Sequence, residues 1–253
     1  MNDRAISLTI DPTGMRERDA DFTKLSAEIT TLNTSGNPFI SLAFLLSHPE
    51  LSDLDEFLNP AQDQLVIHDY QAFKYAQNAS IDKQDRAECA IQSKGATTEL
   101  ALDLAGTGSL KTALRSIPKV DLAKAKPLQL RADSLANAIS HDNLICTQSH
   151  VSTYVSISGD TNAIHTDPAR AQSLGLPDTI VPGLLLVGLI QPVFEKRADT
   201  KKLQSLRARF TAPMITGTPF AISILERSPT SLRAFVHSAA GAHVVADFTL
   251  GAD

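Results

Sequence analysis

The sequence has no tryptophan, and only three tyrosines in 253 residues. A core built from it rests on Leu, Ile, Val, Ala and Phe. Cysteine is equally sparse. Cys89 and Cys146 stand far apart in the chain, in neither a disulfide framework nor a metal-binding spacing, and both read as buried thiols. No apolar run has membrane-spanning length; the run at residues 184–194 is too short and carries Gln191 and Pro192. There is no excess of positive charge. The 23 Lys and Arg against 28 Asp and Glu give a net charge of -5, scattered along the chain, which offers nucleic acid no basic face. The chain opens Met-Asn-Asp-Arg, without a basic-then-apolar leader, and ends Gly-Ala-Asp, which is not a peroxisomal address. A cytoplasmic protein, contacting neither membrane nor nucleic acid, is expected.

What is present is an ordinary apolar share, 43%, in a chain long enough for one large domain or two of usual size. Residues 5–10 alternate like a strand. Residues 19–32 carry Phe22, Leu25, Ile29 and Leu32 on one helical face. A turn follows, and Pro38 suits the first turn of an apolar helix over 39–46. Residues 47–64 read as loop with a short helical piece. Strand patterns cover 65–75, 86–92 and 97–104, with a hairpin turn at 93–96. Residues 106–127 are poor in large apolar side chains and read as a linker. Beyond it come a short strand at 144–147, a helix at 148–157 capped by Thr147, and the apolar helix at 184–194 opened by Gly183. Strands at 203–212, 220–225, 231–238 and 243–250 close the chain. The two halves share one order: helix, turn, apolar helix, antiparallel strands. That order predicts an α+β fold of two units, with the boundary between 118 and 119.

Between the last two helices lies a cluster of polar side chains. Asp160 is a candidate base, His165 a candidate acid or partner, and Asn162 can hold either by hydrogen bonds. Gly183, at a helix start, leaves a free N–H at the positive end of the dipole, where an oxyanion could be held. The same Asp, Asn and Gly also suit an ordinary turn. Asp167 before Pro168 reads as a helix cap, His68 as a structural strand histidine, and His150, His237 and His243 as carrying no chemistry. Lys196, Arg197, Lys201 and Lys202 form a basic run, either a solvated loop or a contact for an anionic partner.

The stretch Ser158-Gly159-Asp160-Thr161-Asn162-Ala163-Ile164-His165-Thr166-Asp167, followed by Val181-Pro182-Gly183-Leu184, resembles the MaoC-like family of (R)-specific enoyl-CoA hydratases and 3-hydroxyacyl thioester dehydratases. The resemblance runs from Thr147 to Leu250. Residues 1–118 look like the degenerate partner of double-hotdog members, with Gly36-Asn37-Pro38-Phe39 where the central helix opens and Ile67-His68-Asp69-Tyr70-Gln71 similar to a V-H-G-E-Q strand. Two positions depart from the family pattern: Ala163 stands for a proline, and Pro182 for the histidine before the helix glycine.

The resemblance implies a double hotdog, in which two antiparallel sheets each wrap a central apolar helix and residues 119–253 form the catalytic half. It implies Asp160 and His165 as the catalytic acid–base pair, Asn162 as organiser of the active-site loop, and Gly183 as oxyanion donor. The implied activity is reversible hydration of trans-2-enoyl thioesters, carried by CoA or acyl carrier protein, without metal or cofactor, in a monomer or homodimer. A thioesterase and a non-catalytic thioester-binding subunit are the alternatives.

Overall fold

The order of strands across the sheet carries the plan of the molecule. The structure, a computed structural model, describes residues 4–34, 36, 38–52, 64–75, 86–104, 108–196 and 203–251. Ten strands, β1 (Arg4–Thr9), β2 (Gln64–Tyr75), β3 (Arg86–Lys94), β4 (Thr97–Leu104), β5 (Gly108–Pro118), β6 (Ile139–Ile145), β7 (Leu203–Phe210), β8 (Pro219–Ser228), β9 (Ser231–Ser238) and β10 (Gly241–Leu250), form one sheet. Their order is β1-β3-β4-β5-β2-β7-β10-β9-β8-β6. The first five read 1-3-4-5-2 from the edge inward, and the last five repeat that order from the other edge. The repeat seen in the sequence is thus a repeat of topology. All pairings are antiparallel, and the halves join where β2 meets β7, from Tyr70 opposite Arg209 to Lys74 opposite Ser205. The fold is a double hotdog whose two sheets run into one.

Period-two patterning makes these strands. In β3, Ala87, Cys89 and Ile91 are buried between exposed neighbours; in β4, Leu100, Leu102 and Leu104 are buried. The stretch expected as a linker is instead largely strand β5, eleven residues long and paired on both sides. Its inward positions are Leu110, Thr112 and Leu114, with Lys111 and Arg115 outward. The buried Thr112 hydroxyl donates to the Gln71 amide oxygen at 2.7 Å, so a polar residue serves on an inner face. The connection between the halves begins only after Pro118, with α4 (Lys119–Leu122).

The first half packs α1 (Pro12–Thr30), α2 (Pro38–Ala43), which runs into a 3-10 turn at Phe44–Ser47, and α3 (Pro49–Ser52). Helix α1 starts earlier than its apolar stripe, because the Asp11 carboxylate accepts from the Thr13 N–H and Pro12 sits in the first turn. The second half has α5 (Gln148–Ser158), α6 (Pro168–Ser173), and a central helical run in two pieces, α7 (Gly183–Gly188) and α8 (Ile190–Glu195). At Gly188 a Cβ would overlap the Phe22 ring, so glycine lets the second central helix lie directly on the first half's helices. One hydrophobic core therefore spans both halves, from Phe22, Ile40 and Phe44 to Leu185, Ile190 and Phe194.

Candidate active site

Helix α5 ends where the site begins. The Thr147 hydroxyl caps its start in a reciprocal pair with His150, and Gly159, at φ 73°, ends it with its N–H bonded to the Val155 carbonyl. A Cβ on Gly159 would come within 3.2 Å of Ser47 in the first half, so the chain turns against that half as it leaves the helix. The Asp160 N–H then donates to Ser158 Oγ at 3.2 Å, and Asp160 Oδ1 accepts from the Asn162 N–H at 3.0 Å. Asn162 Oδ1 accepts in turn from the Ile164 N–H at 3.3 Å, capping the 3-10 turn Ala163–His165. One short turn thus carries both side chains of the pair, and Asn162, itself exposed, holds the loop through its own backbone contacts.

The second oxygen of Asp160, Oδ2, lies 3.6 Å from Nε2 of His165. His165 is 8% exposed. Its other nitrogen, Nδ1, stands 2.8 Å from the Ile180 carbonyl. A carbonyl only accepts, so Nδ1 carries a proton and Nε2 is the nitrogen presented to Asp160. Ile180 is fixed from several sides: its N–H bonds the Ile164 carbonyl at 3.3 Å, it bridges Ile215, and the next residue donates to the Met214 carbonyl at 2.8 Å. The Gln148 amide adds a clamp, donating to the His165 carbonyl at 2.9 Å while accepting from the Thr179 hydroxyl at 2.7 Å. Nothing in the sequence around Gln148 marked it for this.

Gly183 opens α7, three residues after Ile180. Its N–H is one of the first-turn groups without an intrahelical acceptor. A Cβ here would stand 2.6 Å from Cε1 of Phe210, so glycine lets the Phe210 ring lie on the backbone at the helix start. Pro182, before it, is buried. The loop also packs onto the first half: Ile164, Leu174, Leu176 and Ile180 share a cluster with Leu65 of that half and Leu122 of the connection, and Ile67 and Ile117 border it.

His68 does not behave as a simple strand histidine. It lies on β2 opposite the buried Leu114, so it faces inward, yet it is partly exposed. Its ring is 5.8 Å from that of Phe210, the residue that covers Gly183. Burial pushes its imidazole below the ordinary histidine range; the nearby His165 adds to this, and the Asp160 carboxylate opposes it. A side chain of the first half therefore borders the pair formed in the second.

The remaining histidines have structural partners: His237 meets Ser223 Oγ at 2.8 Å, and His243 meets Ser238 Oγ and the Pro213 carbonyl. Asp167 caps α6, its Oδ1 accepting from Ala169 at 2.8 Å and Arg170 at 3.3 Å. Lys196 is exposed, while Arg197, Lys201 and Lys202 lie outside the described residues. Among the described residues, no three His, Cys, Asp or Glu side chains gather closely enough to hold a metal, and no helix is long and apolar enough to cross a membrane.

Residues 127–246 match the model of the MaoC-like domain. No protein of curated function matches the chain in sequence. Among solved structures, a MaoC-like dehydratase from Phytophthora capsici is similar with 14% identity and a TM-score of 0.66, over 100% of this chain and 96% of that one. HtdX from Mycobacterium tuberculosis is similar with 16% identity and a TM-score of 0.65, over 97% and 98%. An acyl-ACP thioesterase from Bacteroides thetaiotaomicron shares the fold more distantly, at 10% identity and a TM-score of 0.54, over 98% of both chains.

Proposed function

We propose, on the premise that residues 127–246 are a MaoC-like domain, that this protein reversibly hydrates trans-2-enoyl thioesters. The observation that carries the reading is the approach of Asp160 Oδ2 to His165 Nε2, at 3.6 Å, with His165 held by the carbonyl of Ile180, three residues before Gly183. Asp160 Oδ1 is occupied by the Asn162 N–H, which leaves Oδ2 as the basic oxygen. A water shared by Oδ2 and Nε2 gives its proton to Asp160 as its oxygen bonds carbon 3 of the enoyl group. The electrons move to the thioester oxygen, where the Gly183 N–H and the helix dipole stabilise the enolate. Carbon 2 then takes a proton from His165. Because Nδ1–H is given to Ile180, His165 donates from Nε2 as an imidazolium, a form that Asp160 pairs with. The reverse sequence dehydrates a 3-hydroxyacyl thioester.

In this reading residues 119–253 hold the acid–base pair, and residues 1–118 are the degenerate half that supports the loop. The substrate is an acyl thioester of CoA or of acyl carrier protein. A second reading, hydrolysis of the thioester, is favoured by the likeness to an acyl-ACP thioesterase, in which case the same water attacks carbon 1. Crotonyl-CoA separates the two: hydration removes the conjugated absorbance without releasing thiol, and hydrolysis releases thiol.

A further inference from the structure

We infer that His68 is a substrate-binding residue of this site, its imidazole hydrogen-bonding the bound acyl thioester from the wall opposite Asp160 and His165. The inference rests on the hydration reading for the identity of the ligand.

The protein has seven histidines. Six have a ring nitrogen bonded within the protein: His48 to the Thr9 carbonyl, His141 to Thr30, His150 to the Thr147 N–H, His165 to Ile180, His237 to Ser223, and His243 to Ser238. Among the described residues, the His68 ring bonds to none, although it stands on the inner face of a central strand. A partly buried imidazole normally finds a partner, because leaving its nitrogens unpaired wastes hydrogen bonds that water would have made. Here the ring is partly exposed, and a ligand could supply the missing partner.

Its direction is built into the strand. The register shifts between His68, opposite Leu114, and Tyr70, opposite Ala113, so Asp69 is an extra, bulged residue. Arg115 holds the bulge from outside, with Nε at 3.2 Å and a terminal guanidinium nitrogen at 2.9 Å from Asp69 Oδ1. The bulge aims His68 at Phe210, and Phe210 lies on Gly183, where the thioester oxygen is expected. Burial keeps the ring neutral at pH 7, so one nitrogen donates and the other accepts without adding charge beside the pair.

The test compares His68→Leu and His68→Gln with the wild type. Two readouts are taken: dissociation constants for butyryl-CoA, which is saturated and cannot react, and KM and kcat for crotonyl-CoA hydration. His68→Leu is expected to weaken butyryl-CoA binding and raise KM about tenfold, with an unchanged melting temperature. His68→Gln, which keeps a donor and an acceptor, should recover most of the loss. Wild-type constants in His68→Leu overturn the inference, as does a folded Gln variant that binds no better than Leu. A wild type that binds butyryl-CoA without hydrating crotonyl-CoA overturns the hydration reading, while the dissociation constants still decide the role of His68. A wild type that binds neither overturns both.

Discussion

Nδ1 of His165 lies 2.8 Å from the carbonyl oxygen of Ile180, and this single contact decides which face of the imidazole meets Asp160. It also separates two roles that one substitution cannot remove equally. An Asn at 165 places its amide NH₂ near Nδ1 and can keep the bond to Ile180. A Gln places its polar end nearer Nε2 and abandons it. Both lack a titrating acid, so turnover should fall about 10²- to 10⁴-fold in each. His165→Asn should melt close to the wild type, whereas His165→Gln leaves a buried carbonyl unpaired and should lose about 1–3 kcal/mol. Denaturant titrations beside crotonyl-CoA kinetics check both halves of this expectation.

Gly183 is required for space. A Cβ there would press to 2.6 Å of the Phe210 ring, so Gly183→Ala has to displace that ring or the helix start. Overpacking of this kind costs about 1–3 kcal/mol and moves the N–H assigned to the thioester oxygen. Trimming the obstacle should relieve part of the damage. Gly183→Ala/Phe210→Leu is expected to be more stable than the sum of its single variants, with a positive coupling in a double-mutant cycle of urea midpoints. Strict additivity would mean that the two residues do not press on each other.

Both thiols are buried and free. Burial pushes Cys89 up to about 11 and Cys146 up to about 12. An unfolded thiol ionises near 9.0. Above that pH the unfolded chain sheds protons that the folded chain retains, so stability falls as pH rises from about 9 toward the folded values. Thermal midpoints measured across this range should decline less steeply in Cys146→Ala than in the wild type. At pH 8 neither thiol should react with a thiol reagent until denaturant is added.

Much of the site was legible because its parts are neighbours in sequence. Asp160, Asn162 and His165 fall within six residues, and a local turn brings them together without help from distant pairing. The same holds for the Thr147 cap and for the strands at 97–104 and 231–238, whose bounds match the structure at both ends. The reading failed where tertiary context overrides composition. Strand β5 looked like a linker because its inner face sets Thr112 between its leucines, and Thr112 is tolerable only because Gln71 lies opposite. The place of His68 beside the pair was not legible, because its strand gives no hint of a bulge at Asp69, nor that β2 would pair with β7 and so place Phe210 beside it. Residues 53–63, most of the stretch expected as loop, lie outside the described residues.

The central claim is that Asp160 is the base of a hydration reaction. The most direct measurement follows the conjugated absorbance of crotonyl-CoA mixed with the purified protein, wild type beside Asp160→Asn. The isosteric amide still accepts the Asn162 N–H at Oδ1 and preserves the loop, but it cannot take a proton. The account predicts that the wild type consumes the absorbance without releasing thiol, and that Asp160→Asn is slower by about 10²- to 10⁴-fold. Undiminished hydration by Asp160→Asn would contradict it and place the chemistry elsewhere in the fold.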